Sequence, residues 1–226
     1  MINKKLVYII SSSLITIVLL YLMDQIFELS YITKVIGKII IFTLFPIIYI
    51  RITKENFIKD SLTNINRKFH IKKSHVLGIS LFVILIIALN LVKRFVNIDI
   101  LISEFEEKYK INKSNIIFYG AYLTFINSLL EEFFFRGFIF LNLKNLCNKR
   151  IAYLSSSIAF SIYHISNFQN WLNIWVFLLA TTCLFIGGMI FNYLDDKENT
   201  FLNSWFVHIC AELAIVVFGL SIFKVI

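Results

Sequence analysis

The chain has 226 residues, 58% of them hydrophobic and only 16% charged, with seven Gly and one Pro. A soluble domain of this length needs far more polar surface, so these proportions exclude one and point to a chain that crosses a membrane. The net charge of +8 would suit nucleic acid if the basic residues formed one patch. They lie instead between apolar runs, where they orient a chain in the bilayer, and no nucleic-acid partner is expected.

Lys4 and Lys5 precede an apolar run over 6–23. The run is long for the apolar region of a signal peptide, and no small-residue cleavage site follows it, so it reads as a retained first span. The second span covers 33–50; Lys34 and Lys38 near its start are expected to snorkel to the interface, and Pro46 is a candidate kink. The segment between them, 24–32, carries Asp24 and Glu28 and no basic residue, which suits the outside. A basic connector over 51–75 holds Arg51, Lys54, Lys59, Arg67, Lys68, Lys72 and Lys73 against Glu55 and Asp60. The positive-inside rule assigns it to the cytoplasm, together with the N-terminus and the connector that contains Lys144, Lys149 and Arg150. After a third span over 76–92, the mixed-charge segment 93–114 places Phe95, Ile98, Leu101, Ile102 and Phe105 as the apolar face of an interfacial amphipathic helix. Four further spans follow, over 115–141, 151–168, 171–194 and 201–223. The expected architecture is all-α: a polytopic membrane helix bundle of about seven transmembrane helices (range six to eight), forming a single domain over 1–226. No internal repeat is visible. Cys147, Cys183 and Cys210 show no C-x-x-C spacing and are expected to be plain thiols without a disulfide framework.

A charged side chain near the middle of a membrane helix costs about 2.5–3.5 kcal/mol on insertion scales, and such groups are functional candidates by default. Glu131, Glu132 and Arg136 lie in the fourth apolar run, His164 in the fifth, His208 and Glu212 in the seventh. Thr124, Asn127, Ser128 and Glu131 share one helical stripe, which should face a polar interior. Glu132 and Arg136 are four apart and can form an ion pair. Glu131 has Phe135 at that offset, so it has no charged partner in its own helix and is left as a general base. Ser157, Ser161 and His164 repeat the pattern, with Phe160 one turn before the imidazole; Ser204, His208 and Glu212 follow at four-residue steps. Three such stripes could meet in one cavity and suit hydrolysis. Blander readings exist: a membrane Glu–Arg pair is as often structural, and a membrane His is more often a packing residue. A proton or ion relay through Glu131, His164 and Glu212 would be favoured by inverted repeats, which are not seen.

Glu131-Glu132-x-x-x-Arg136, then Phe160-x-x-x-His164, then His208-x-x-x-Glu212 resembles the CPBP family, the type II CAAX prenyl endopeptidases and bacteriocin-processing enzymes. The matched stretch covers about 131–212. The resemblance implies an intramembrane endopeptidase whose core helices occupy 115–223. It implies that Glu131 and His164 activate water, that Glu132 and Arg136 support them, and that His208 and residue 212 stabilise the oxyanion. The family usually carries Asn or Asp at that last position. An ionised Glu212 cannot donate a hydrogen bond to an oxyanion, so it is either protonated or used differently. His164, His208 and Glu212 would make a His₂Glu set of a type known for catalytic zinc. A metal-free mechanism uses the same residues and is preferred, because nothing like H-E-x-x-H fixes two ligands in one turn. The expected partners are the lipid bilayer and a peptide or protein substrate: a prenylated C-terminus, a leader or signal peptide, or a secreted pheromone or bacteriocin. The expected setting is a bacterial plasma membrane, with a multi-pass chain whose N-terminus is cytoplasmic. The rival is a non-catalytic membrane scaffold or bacteriocin immunity protein of the same fold, which should tolerate Glu131→Gln.

Overall fold

The computed structural model describes residues 4–27, 29–68, 71–108, 110–168 and 172–226, without the side chains of 64–68, 71–73, 108, 167 and 168. Glu28 and the side chains of Arg67, Lys68, Lys72 and Lys73, all used above to orient the chain, lie outside the described residues. Among the described residues the fold is helical throughout, without strands.

The helices are α1 (Lys4–Gln25), α2 (Tyr31–Thr53), α3 (Phe57–Lys68), α4 (Ile71–Val92) and α5 (Ile98–Lys108). They continue with α6 (116–146), α7 (Lys149–Tyr163), α8 (Ile165–Phe168), α9 (Ile174–Asp196) and α10 (Leu202–Ile222). Side-chain oxygens set several starts, satisfying backbone N–H groups that have no helical partner. Ser30 Oγ accepts from Thr33 N at the start of α2, and Asn148 Oδ1 accepts from Arg150 N at the start of α7. Asn173 Oδ1 accepts from Trp175 N and Val176 N at the start of α9. Lys54 adopts the left-handed conformation (φ 61°) that ends α2. Pro46 is buried within α2, which continues on both sides of it.

Five helices are long and apolar enough to cross a membrane: α1, α2, α4 over Ser74–Val92, α9 and α10. The expected count of about seven is not reached among the described residues, for a physical reason in each case. The run at 115–141 is helical but carries Glu131, Glu132 and Arg136. The run at 151–168 is helical only from Lys149 to Tyr163 before it breaks at His164 into the short α8. The second half of α6 is an inner element whose partner is protein, while α7 is too short to cross and keeps Ile151, Leu154, Ile158 and Ile162 exposed. In the second half of α6, every residue from Phe134 to Leu143 is buried, whereas most of each of the five apolar helices is not.

α6 is therefore the axis of the bundle. Phe134, Phe135, Phe138 and Phe140 are fully buried; the first three interlock with Phe42 and Tyr49 of α2, Phe160 of α7 and Phe57 of α3, and Phe140 meets Tyr153 of α7. The basic connector is thus partly a helix, α3, docked by Phe57 under α6. α7 lies between α6 and α9, and α4 packs on α10. α5 joins a separate small cluster in which Phe105 meets Phe223, while Phe95 stays exposed.

Candidate active site

α6 is one unbroken helix of mixed pitch. α-Helical turns at Ile116–Ala121, Ser128–Glu131 and Leu141–Leu146 alternate with wider π-helical turns at Tyr122–Asn127 and Glu132–Phe140. π-Turns bring an extra residue into each turn and occur often at functional sites. Here they flank Glu131 on both sides, and Glu131, Glu132 and Arg136 are all buried. Thr124, Asn127 and Ser128 of the same stripe are buried as well.

The two oxygens of Glu131 have unlike surroundings. Oε1 accepts from Asn127 Nδ2 at 2.8 Å, Lys38 Nζ at 3.0 Å and Tyr163 OH at 3.1 Å. Oε2 accepts no hydrogen bond. It faces His164 Nε2 at 3.6 Å and His208 Nε2 at 3.8 Å. α6, the break between α7 and α8, and α10 thus converge on one carboxylate oxygen. Lys38 does not snorkel to the interface as its position in the second span suggests. It turns inward, because a buried carboxylate offers an ammonium more than the edge of the bilayer does. Lys34 pairs with Asp24 at 3.4 Å.

A second charged group lies behind the first. Arg136 Nη1 donates to Glu132 Oε1 at 2.9 Å, and His208 Nδ1 meets that same oxygen at 2.7 Å. The guanidinium is held between the rings of Phe160, 4.1 Å away, and Phe191, 4.9 Å away. Asp195, fully buried at the end of α9, acts electrostatically on Arg136, and its Oδ1 accepts from Ser204 N at the start of α10. His164 Nδ1 lies 2.8 Å from the Phe160 carbonyl. A carbonyl only accepts, so Nδ1 carries the hydrogen and the Nε2 of the neutral ring is a lone pair turned to Glu131. Glu212 Oε1 stands 3.4 Å from His208 Nε2.

Ser157 and Ser161 do not face this centre. They bind α9 instead: Asn192 Nδ2 donates to Ser157 Oγ at 3.1 Å, and Ser161 Oγ donates to the Thr181 carbonyl at 2.8 Å. Among the described residues no three His, Cys, Asp or Glu side chains form a metal-holding group. His164 and His208 both turn Nε2 towards Glu131, and Glu212 Oε1 stands beside His208 Nε2.

Fold and site together define a multi-pass membrane protein with a buried acid–imidazole centre. Residues 113–214 match the family model described as type II CAAX prenyl endopeptidase Rce1-like, a family of membrane proteases. The matched segment contains all six candidate residues and leaves out α1–α5. No curated protein and no solved structure matches the chain.

Sequence reasoning missed Lys38, Tyr163 and Asp195 as parts of the site. Lys38 was visible as an ionisable group inside an apolar run, the same signal that marked Glu131. Tyr163 carries no such signal, and Asp195 looked like the polar end of a span.

Proposed function

We propose that the chain is an intramembrane peptidase in which Glu131 and His164 activate a water molecule for attack on a peptide carbonyl. The observation that carries this reading is the asymmetry of Glu131: Oε1 is held by three donors, while Oε2 accepts none and faces two imidazole nitrogens. A water between Glu131 Oε2 and His164 Nε2 meets two acceptors and can donate one hydrogen to each. Both of its lone pairs stay free, and one can attack the substrate carbon. Attack forms the new C–O bond, passes the water proton to Glu131 and places negative charge on the former carbonyl oxygen. Collapse breaks the C–N bond, and the proton on Glu131 goes to the leaving amine.

His208 suits stabilisation of the developing oxyanion. As an imidazolium it donates Nδ1–H to Glu132 and presents Nε2–H to the reacting centre. Glu132 and Arg136 fix the ring from behind, as outer hydrogen-bond partners do for catalytic imidazoles generally. Glu212 Oε1 stands beside that same Nε2–H of His208, so an ionised Glu212 would hold the hydrogen until the oxyanion takes it and, as an acceptor only, would not itself donate to the oxyanion.

The substrate class that fits is a membrane-associated peptide, prenylated or bearing a leader, reaching the centre from the bilayer. The basic residues around α3 support a cytoplasmic N-terminus. The test is cleavage of an unbiased peptide library by detergent-purified protein, wild type beside Glu131→Gln. The amide keeps size and one acceptor but loses the base, so the rate should fall by ~10²–10⁴-fold. A well-expressed Glu131→Gln protein that cleaves as the wild type does would defeat the peptidase reading.

A further inference from the structure

Lys38 lies outside the matched segment, and none of the acid and imidazole motifs calls for it. We propose that Lys38 is a positioning residue of this centre: its ammonium holds Glu131 by Oε1, so that Oε2 is the oxygen presented to His164 and His208. The pairing stands on geometry alone; its consequence for catalysis rests on the peptidase reading above.

The two oxygens of a carboxylate are chemically equivalent, and the terminal torsion of Glu is broad and two-fold. Only the surroundings can decide which oxygen faces the reaction. Three donors gather on Oε1, and Lys38 organises the other two. An ammonium can only donate, so by binding Asn127 Oδ1 it turns the Asn127 amide to offer Nδ2 to Glu131. The same ammonium lies 4.9 Å from the centre of the Tyr163 ring, whose hydroxyl is the third donor. Lys38 is also the only charged donor of the three, and charge-assisted hydrogen bonds are about twice as strong as neutral ones. Its side chain is 17% exposed. One side chain from α2 therefore fixes the base directly and through both neighbours.

In Lys38→Met the centre keeps its base and both imidazoles but loses this alignment. The expected result is a kcat lower by about 10²-fold with KM close to wild type, the scale of a misplaced catalytic group. A charge-specific rescue separates positioning from packing. In a protein with Cys147, Cys183 and Cys210 replaced by Ala, Lys38→Cys is alkylated with 2-bromoethylamine, which restores an ammonium at lysine length. 1-Bromopropane fills the same space without charge. Activity should return with the first reagent only. Wild-type turnover in Lys38→Met, or equal recovery with both reagents, overturns the proposal. Melting temperatures test the pairing without any substrate. Lys38→Met, Glu131→Gln and the double variant should be non-additive, because each single change leaves a buried partner unpaired; additive shifts overturn the pairing. Non-additive shifts in a protein that cleaves no peptide would remove the peptidase reading and leave Lys38 paired with Glu131.

Discussion

Glu132 shows how much one oxygen can carry. Oε1 takes both Arg136 Nη1 and His208 Nδ1, and neither Glu132 nor Arg136 is exposed at all. Removing one member of a fully buried pair leaves an uncompensated charge, which costs about 3–5 kcal/mol. Arg136→Ala should therefore lower the melting temperature in detergent clearly, and it also empties the space between the Phe160 and Phe191 rings. Because Glu132 retains His208, the loss should fall at the low end of that range. A variant as stable as wild type would show that Glu132 does not depend on the guanidinium. Glu131→Gln differs in kind: its main loss should be activity, with a melting-temperature loss that comes from the Lys38 ammonium left without its carboxylate.

At the level of elements, two adjacent glycines in α9 separate close packing from simple helix propensity. A Cβ on Gly188 would meet Ser157 Cα and Cβ at 3.0 Å, so α7 and α9 touch almost backbone to backbone there. A Cβ on Gly187 would meet nothing within 4 Å. Lipid tails give helices no hydrophobic reason to associate, so small residues that permit close contact hold such pairs together. Ser156, Ser157 and Asn192 complete the contact: Ser156 Oγ donates to Asn192 Oδ1 at 3.2 Å, and Asn192 Nδ2 donates to Ser157 Oγ. Gly188→Ala should destabilise by about 1–3 kcal/mol through overpacking, and should loosen His164 by displacing α7. Gly187→Ala should be neutral or stabilising by up to about 1 kcal/mol. Equal melting temperatures for the two variants would contradict the close approach.

For the whole molecule, orientation in the bilayer decides from which side a substrate arrives. α3 sits at the end of α2 that the positive-inside rule assigns to the cytoplasm, and Lys59 on it is exposed. With the three native cysteines replaced, Lys59→Cys should resist a membrane-impermeant thiol reagent in intact cells and react after permeabilisation. Reaction in intact cells would invert the topology, and with it the side from which a peptide reaches Glu131.

Much of this protein is legible from its sequence because the bilayer enforces simple rules. Apolar runs must become helices that satisfy their own backbone, so five of the seven expected spans appear as long apolar helices, in the expected order, among the described residues. Ionisable groups inside such runs must have partners, so Glu131, Glu132, Arg136, His164, His208 and Glu212 stood out. The ion pair of Glu132 with Arg136 followed from local spacing alone. Tertiary structure decided the rest. The π-turns of α6 depart from the helical period on which the stripes were drawn, and the break at His164 leaves α7 shorter than a membrane span. Ser157 and Ser161 share a stripe with His164 yet bind α9, because periodicity fixes a face and not its partner. Lys38 could be seen as costly in its span, but which acid it would find, ninety-three positions along the chain, was settled only when α2 packed against α6. A long flexible side chain follows the nearest buried opposite charge, and that is a property of the assembled bundle.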